Sequence, residues 1–501
     1  MNKQRLLSLL SLLFAISLVA AACGSDSDAG SDGEETSTEG EADAESEQEA
    51  GGVDEEAADE AMQDAADEDG DDATEDDDAD AVAAPANLEE LEALWAANRQ
   101  AVVDNITDNG WGLGDDGILT GPGGFTIDTN DCPADWSNTE GIGENVLLGH
   151  TTALSGNLAA YGNIAAGMES YFGYVNENGG IGGLPIELIS KDDAYVATQT
   201  IELVDELLQS DKPFAIETLG SPNTLAVYDT MNANCVPHPL AMTGHPAWGD
   251  PEGHPWTTGN QMSYATEAIL WGSWIKANLA DQLPVKVAGL VMDNDFGLAY
   301  EDGMDTYAEE NPDVISEFIP VRHDPAAPTV TNEMTTIASE EPDVFISMTA
   351  GNPCLLAVEE AGRSGLKDAG TVLFAPSVCK DPNAYMIPAG DVGDGFLIVG
   401  GGLKIATDPQ YADDPYISFV NETLAAADID TSVGLYSTGF ADFGWPFVET
   451  LRIAAELDGG LTRSNFILAL RSFSGDNPKL LEGITFAMNG AEDGYFIEGS
   501  D

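Results

Sequence analysis

The sequence predicts an α/β fold, each half a doubly wound and mostly parallel sheet with helices on both faces. Three observations carry that expectation. Strand-like apolar runs alternate with amphipathic helical stretches from Asn145 onward. Glycine-rich turns such as Gly179-Gly180-Ile181-Gly182-Gly183 separate the two kinds of segment. The chain is 501 residues long and 43% hydrophobic, enough to fill the cores of two or three domains. Alternating strands and helices bury their apolar faces best as parallel sheets wrapped by helices.

Taken in order, the first segment is a targeting signal. Lys3 and Arg5 precede an apolar run, Leu6 to Ala22, that ends in small residues, and Cys23-Gly24-Ser25 follows. Basic start, apolar middle and small-residue exit describe a secretory signal. A Cys at the cut point resembles the bacterial lipoprotein signal, with Ala20 where a larger aliphatic is usual; in that reading residues 1–22 are removed and Cys23 is acylated. An ordinary signal peptide or single-span anchor is the alternative. No later apolar run approaches the length needed to span a membrane.

Residues 23–86 read as an acidic, disordered tether. Between Asp26 and Asp80 stand 27 acidic residues and no basic one. Such a segment lacks the apolar surface to offset its ordering entropy, and self-repulsion extends it. The whole chain carries 90 Asp and Glu against 16 Lys and Arg, net −74. That charge excludes nucleic acid as a partner. It suits solubility in a salty medium, where the field is screened over about 10 Å.

Residues 87–143 form an N-terminal extension. Leu88, Leu91, Trp95, Val102 and Ile106 recur at helical spacing, predicting a helix over 88–106. A Gly-rich stretch and a short strand, Phe125-Thr126-Ile127, follow. Gly112-Leu113-Gly114-Asp115-Asp116-Gly117 matches GxGxxG, but no strand precedes it and two Asp would repel a pyrophosphate; a surface loop is expected. Setting Cys23 aside leaves Cys132, Cys235, Cys354 and Cys379, an even number with three possible connectivities. A metal site competes, but no C-x-x-C or C-x-H spacing supports it.

The alternating region is predicted as strand 146–148, helix 163–178, strand 186–189, helix 197–208 and strand 214–217. Strands 287–292, 344–348, 372–375 and 396–399 follow. Ligands of open α/β sheets bind at the carboxyl ends of strands, so the residues just after each strand matter most.

Those residues carry a resemblance. Leu154-Ser155-Gly156-Asn157-Leu158-Ala159-Ala160-Tyr161-Gly162 resembles the opening loop of type I periplasmic binding proteins of the branched-chain amino acid (Leu/Ile/Val-binding) ABC transporter group. Asn176–Ile181, Asp192-Asp193, Leu219–Thr224, Pro239–Thr243 and Val287–Asp293 follow in that family's order, and the likeness runs from about Asn145 to Asp501. It implies two lobes with a ligand cleft between them: residues 144–262 and 398–476 in lobe 1, 263–397 and 477–501 in lobe 2. It implies that Ser221 and Thr243 anchor the ligand's carboxylate and that the Ala241 carbonyl accepts from its ammonium. Tyr161 and Phe296 would wall it from opposite lobes, with Met242 beside them. The pairing Cys132–Cys235 and Cys354–Cys379 is also implied, each bridge within one lobe.

Two departures widen the expected ligand. Amino-acid binders of this group place an acid after the strand 372–375 and an aromatic after the strand 344–348; this chain has Ser377 and Ala350. A desolvated ammonium without a carboxylate partner is unfavourable. A carboxylate without ammonium, or a neutral amide, therefore joins the amino acids as expected ligand.

No catalytic motif is present. His150, His238, His245, His254 and His323 form no H-E-x-x-H, and no G-x-S-x-G or G-K-[ST] occurs. His238 and His245 flank Thr243 and are expected to pack in loops. The expectation is a monomeric, non-enzymatic, extracytoplasmic solute-binding lipoprotein of an ABC importer, with permease subunits as partners and no cofactor or metal. A ligand-presenting receptor module for a sensor protein, or a non-transport surface lipoprotein, is the alternative.

Overall fold

The structure, a computed structural model, describes residues 85–501. The expected leader, the expected acylation site Cys23 and the expected acidic tether up to Ala84 lie outside the described residues.

The extension opens with helix α1 (Leu88–Asn109), capped by the Asn87 side chain, which accepts from the Glu90 N–H, and ended by Gly110 in the left-handed region. It buries Leu91, Trp95, Val102 and Ile106, the stripe predicted by spacing. Strands β1 (Gly112–Leu113), β2 (Ile118–Thr120) and β3 (Thr126–Asp128) form a small antiparallel sheet. The GxGxxG stretch is thus the β1–β2 hairpin and not a phosphate loop. Trp95 sits edge-on to Tyr416 and Trp445, with ring centroids 5.8 and 5.6 Å away, and Arg99 pairs with the buried Glu449. The Cys132–Cys235 disulfide pins the end of the extension to lobe 1.

In lobe 1, β4 (Val146–Thr152) runs parallel between β5 (Ile186–Asp192) and β6 (Ala215–Thr218). Helices α2 (Gly162–Glu177), α3 (Ala197–Glu206) and α4 (Ser221–Ala233) make the crossovers. Strands β7 (His238–Ala241) and β8 (Thr257–Gly259) pair in parallel, and a bridge from Leu219 to Met242 joins them to the end of β6. β4 and β5 continue past their apolar stretches because the hydrogen-bond ladder, not hydrophobicity, sets their ends; Thr152 still pairs with Asp192. Helix α3 stops two residues short of expectation, where a π turn (Leu207–Asp211) takes over.

Lobe 2 starts with α5 (Tyr264–Asn278) and alternates regularly: β9 (Val285–Met292), α6 (Asp295–Glu310), β10 (Ile315–His323), α7 (Thr331–Ser339), β11 (Val344–Met348), α8 (Asn352–Arg363), α9 (Leu366–Ala369), β12 (Val372–Ala375) and β13 (Phe396–Ile398). The sheet is parallel throughout in the order β10-β9-β11-β12-β13. Only Lys286 of β9 is not buried, which is why that strand reads as a continuous apolar run. The Cys354–Cys379 disulfide ties the start of α8 to the loop after β12.

The chain then returns to lobe 1 as α10 (Pro415–Ala426), α11 (Gly434–Thr438), α12 (Trp445–Glu456) and α13 (Arg463–Arg471). Two buried arginines fasten this return with few carboxylates. Arg463 donates to the carbonyls of Pro213 and Phe214, and Arg471 to those of Pro255, Thr257 and Asp493. Residues 477–501, expected in lobe 2, bond to segments expected in lobe 1. Gly259 donates to Gly494, Ile497 to Asn260 and Leu481 to Gly402. Phe486 and Phe496 pack on Phe473 of the lobe-1 side. Among the described residues no helix is long and apolar enough to cross a membrane.

Candidate functional site

The strands of both lobes point their carboxyl ends into one cleft, and the loops there build a cavity of about 160 Å³. One water needs roughly a tenth of that space, so the cavity suits a small organic molecule. Tyr161 follows β4, Leu219 and Gly220 follow β6, and Met242 and Thr243 follow β7 on the lobe-1 side; Phe296, Ala350 and Ser377 follow β9, β11 and β12 on the other. Two glycines make the close approach possible. Gly220 (φ 96°) and Gly351 (φ 64°) turn the chain from strand into helix, and a Cβ on either would collide with Tyr195 or Leu158 at 2.2 and 2.4 Å.

Six of the eight ligand-binding residues expected from sequence line this cavity: Tyr161, Met242, Thr243, Phe296, Ala350 and Ser377. Ser221 stands behind the wall, fully buried, its hydroxyl 2.6 Å from that of Thr243. Ala241 departs from expectation. It is fully buried and is not among the residues lining the cavity, and its carbonyl accepts from the Thr243 N–H at 2.7 Å in a tight turn. His238 bonds Thr218 inside the core and His245 accepts from the Ala247 N–H.

Sequence reasoning missed Tyr195, Gln261, Tyr264 and Tyr385, and it missed the charged groups. Lys380, Lys404 and Lys479 all line the cavity, with Asp381 and Asp442. Three of the 16 basic residues of a strongly acidic chain converge at one place. That scarcity was the available signal: Lys380 follows Cys379 in a strand-end loop already singled out. Lys404 pairs with Asp414 at 2.7 Å and Lys479 with the buried Asp442 at 2.6 Å. Lys380 donates to the Leu403 carbonyl at 3.0 Å, and burial pushes its ammonium down to about 8.

The serine that replaces the expected acid has an acid behind it. Glu267 of α5 is buried, and its carboxyl accepts from the Ser377 N–H at 2.7 Å and from the hydroxyls of Ser377 and Tyr300, each at 2.8 Å. Burial raises this carboxyl to about 7, against the pull of those hydrogen bonds. Both donors of Ser377 are thereby turned from the cavity.

The lobes touch across the cleft. The Gly351 N–H donates to the Tyr161 hydroxyl at 3.1 Å, Asn157 to the Pro325 carbonyl at 3.2 Å, and Asn383 to the Ser432 carbonyl at 3.2 Å. Asp381 of lobe 2 accepts from the Gly434 N–H of lobe 1 at 2.9 Å. Tyr161, Asp381 and Gly434, which make two of these contacts, also line the cavity, so its two walls are joined only while the lobes are together.

A family model described as periplasmic binding protein matches residues 145–494, well over half of the chain. A search of curated protein sequences finds no match. Solved structures show the same fold. A branched-chain amino acid ABC transporter protein from Thermus thermophilus with bound valine has a TM-score of 0.62 at 19% identity, covering 71% of this chain and 92% of that one. A possible leucine/isoleucine/valine-binding protein from Rhodopirellula baltica SH 1 has a TM-score of 0.58 at 17% identity, covering 73% and 94%. An ABC transporter solute-binding protein from R. palustris in complex with benzoate has a TM-score of 0.56 at 19% identity, covering 70% and 90%.

Proposed function

The chain belongs to the periplasmic binding protein family, and on that premise we propose that it captures an amino acid or a related small carboxylate or amide between its lobes and hands it to the permease of an ABC importer. The observation that carries this reading is the cavity walled from both lobes, with hydrogen bonds linking the two walls. Closure of this kind sequesters a ligand and creates a surface that the open form lacks, which a permease can read. Ligands of the similar structures, valine in one and benzoate in another, support the size class and a carboxylate in common. The leader with Cys23 at its exit supports a lipid anchor on the outer side of the cytoplasmic membrane, with residues 24–86 as the tether.

Thermal-shift screening against amino acids, short carboxylates, amides and polyamines tests the binding role. A true ligand at 100- to 1,000-fold excess over its Kd stabilises by about 3–4 kcal/mol. A panel in which nothing raises Tm refutes solute binding. Cys23→Ser is expected to release the protein from membranes, and an unchanged membrane fraction refutes the anchor.

A further inference from the structure

We propose that the cleft selects a small organic anion that has no ammonium group, a monocarboxylate with an apolar aliphatic or aromatic body, and that Lys380 of lobe 2 pairs with its carboxylate. The proposal rests on the solute-binding reading above and names the ligand class of that same cleft.

The argument is a balance of charges inside the cavity. Two of its three lysines are matched, Lys404 by Asp414 and Lys479 by Asp442. Lys380 has no carboxylate within ion-pair distance among the described residues, and a single backbone carbonyl serves three N–H donors. Asp501, Asp442 and Glu267 act on it from farther off and Lys479 opposes them. An ammonium withdrawn from water without a counter-ion is unfavourable, and a ligand carboxylate relieves that cost directly.

The acids give the complementary result. Asp381 is occupied by the backbone N–H groups of Asn383 and Gly434, each at 2.9 Å. Asp442 holds Lys479, and Glu267 faces Ser377 and Tyr300 behind the wall. Ala241 does not line the cavity, and its carbonyl already accepts from the Thr243 N–H. A ligand ammonium therefore meets acids that already hold hydrogen-bond donors, while a ligand carboxylate meets a cation with no acid within ion-pair distance among the described residues. The remaining wall is mostly apolar or aromatic, with Tyr161, Met242, Phe296, Leu403 and Ile405 around the body of the ligand and Thr243 and Gln261 among its polar members. The loop that carries Lys380 is held by the Cys354–Cys379 bridge immediately before it, so the ammonium is positioned before the ligand arrives.

The test uses matched sets on the full folded chain: 4-methylpentanoate, leucine and 4-methylpentanamide, with 3-phenylpropanoate, phenylalanine and 3-phenylpropanamide as the aromatic set. Titration calorimetry at pH 7 is expected to rank each carboxylate at least about 30-fold tighter than its amino acid or amide. Lys380→Met is expected to remove the preference of carboxylate over amide, and Lys380→Arg to keep most of it. If Lys380→Met fails to fold, the wild-type pH profile decides. Carboxylate affinity then falls as pH rises past about 8, where the lysine loses its proton, while amide affinity stays level. Tighter binding of an amino acid or an amide overturns the proposal and leaves the solute-binding function intact. Carboxylate preference that survives Lys380→Met assigns the anion to other donors and overturns the role of Lys380. No binding by any of the six, with a hit elsewhere in the broader screen, overturns the ligand class alone; no hit in either removes the solute-binding reading as well.

Discussion

Replacing Glu267 by Gln isolates the buried carboxyl behind Ser377, and its effect can be worked out from the structure. The folded-state carboxyl stands at about 7 against an ordinary 4.5, because burial disfavours its charge more than three hydrogen bonds favour it. Below about pH 4.5 the group is protonated in the folded and unfolded chain alike. Between about 4.5 and 7 the folded chain holds a proton that the unfolded chain has lost, so this group's contribution to stability falls as pH rises. Above 7 both forms are ionised and the fold carries a buried charge. Integrated from pH 5 to pH 8, the loss is roughly 2–3 kcal/mol. The amide of Gln places its oxygen at the Ser377 N–H and its NH2 at the two hydroxyls, which rotate to accept, so the network survives without the titration. Guanidinium unfolding of both proteins at pH 5 and pH 8 reads the difference. Glu267→Gln is expected to gain roughly 2–3 kcal/mol on wild type over that interval, whatever its standing at pH 5. Other buried acids, such as Glu217 with its similarly raised carboxyl, cancel in the comparison. Parallel stability profiles for the two proteins would refute the argument.

Thr243→Ala is expected to weaken binding of the tightest ligand by about 1–3 kcal/mol, since its side chain lines the cavity. Ser221→Ala removes a buried hydroxyl that reaches only Thr243, and should cost about 1 kcal/mol of stability with a smaller effect on binding; calorimetry with unfolding separates the two, and unchanged affinity in both variants refutes the placement. Opening the Cys354–Cys379 bridge by Cys354→Ala with Cys379→Ala is expected to cost roughly 2–4 kcal/mol for its loop of 25 residues. A thiol count on the denatured, unreduced protein should find none of the four cysteines beyond position 23 free, and four free thiols would discard both bridges. Trp95→Ala should lower stability by about 3–5 kcal/mol, because its ring is buried against Tyr416 and Trp445; a near-neutral result would mean that the extension folds apart from lobe 1.

The parts of this molecule legible in its sequence are those whose physics is local. The stripe of α1 lies on one helix face, so Leu91, Trp95, Val102 and Ile106 announce it at a fixed spacing. The parallel strands of lobe 2 are buried on both faces, so β9, β11 and β12 appear as apolar runs with their ends nearly correct. Strand-end loops follow from the same alternation, and the resemblance those loops carry is what implied Tyr161, Thr243, Phe296 and Ser377. The electrostatics of the cleft are not local. Glu267 meets Ser377 across 110 positions, and Lys479 meets Asp442 from beyond two intervening helices. No periodicity links such pairs; each exists because separate crossings bring two segments to one edge. Ala241 shows a different case: it ends the strand as expected, but it is buried outside the cavity lining and its carbonyl accepts from the Thr243 N–H. A site read from strand ends alone therefore gives the walls of a cleft and not its charge. The charge has to be counted from partners, and among the described residues that count leaves one cation of the cavity, Lys380, without an acid within ion-pair distance.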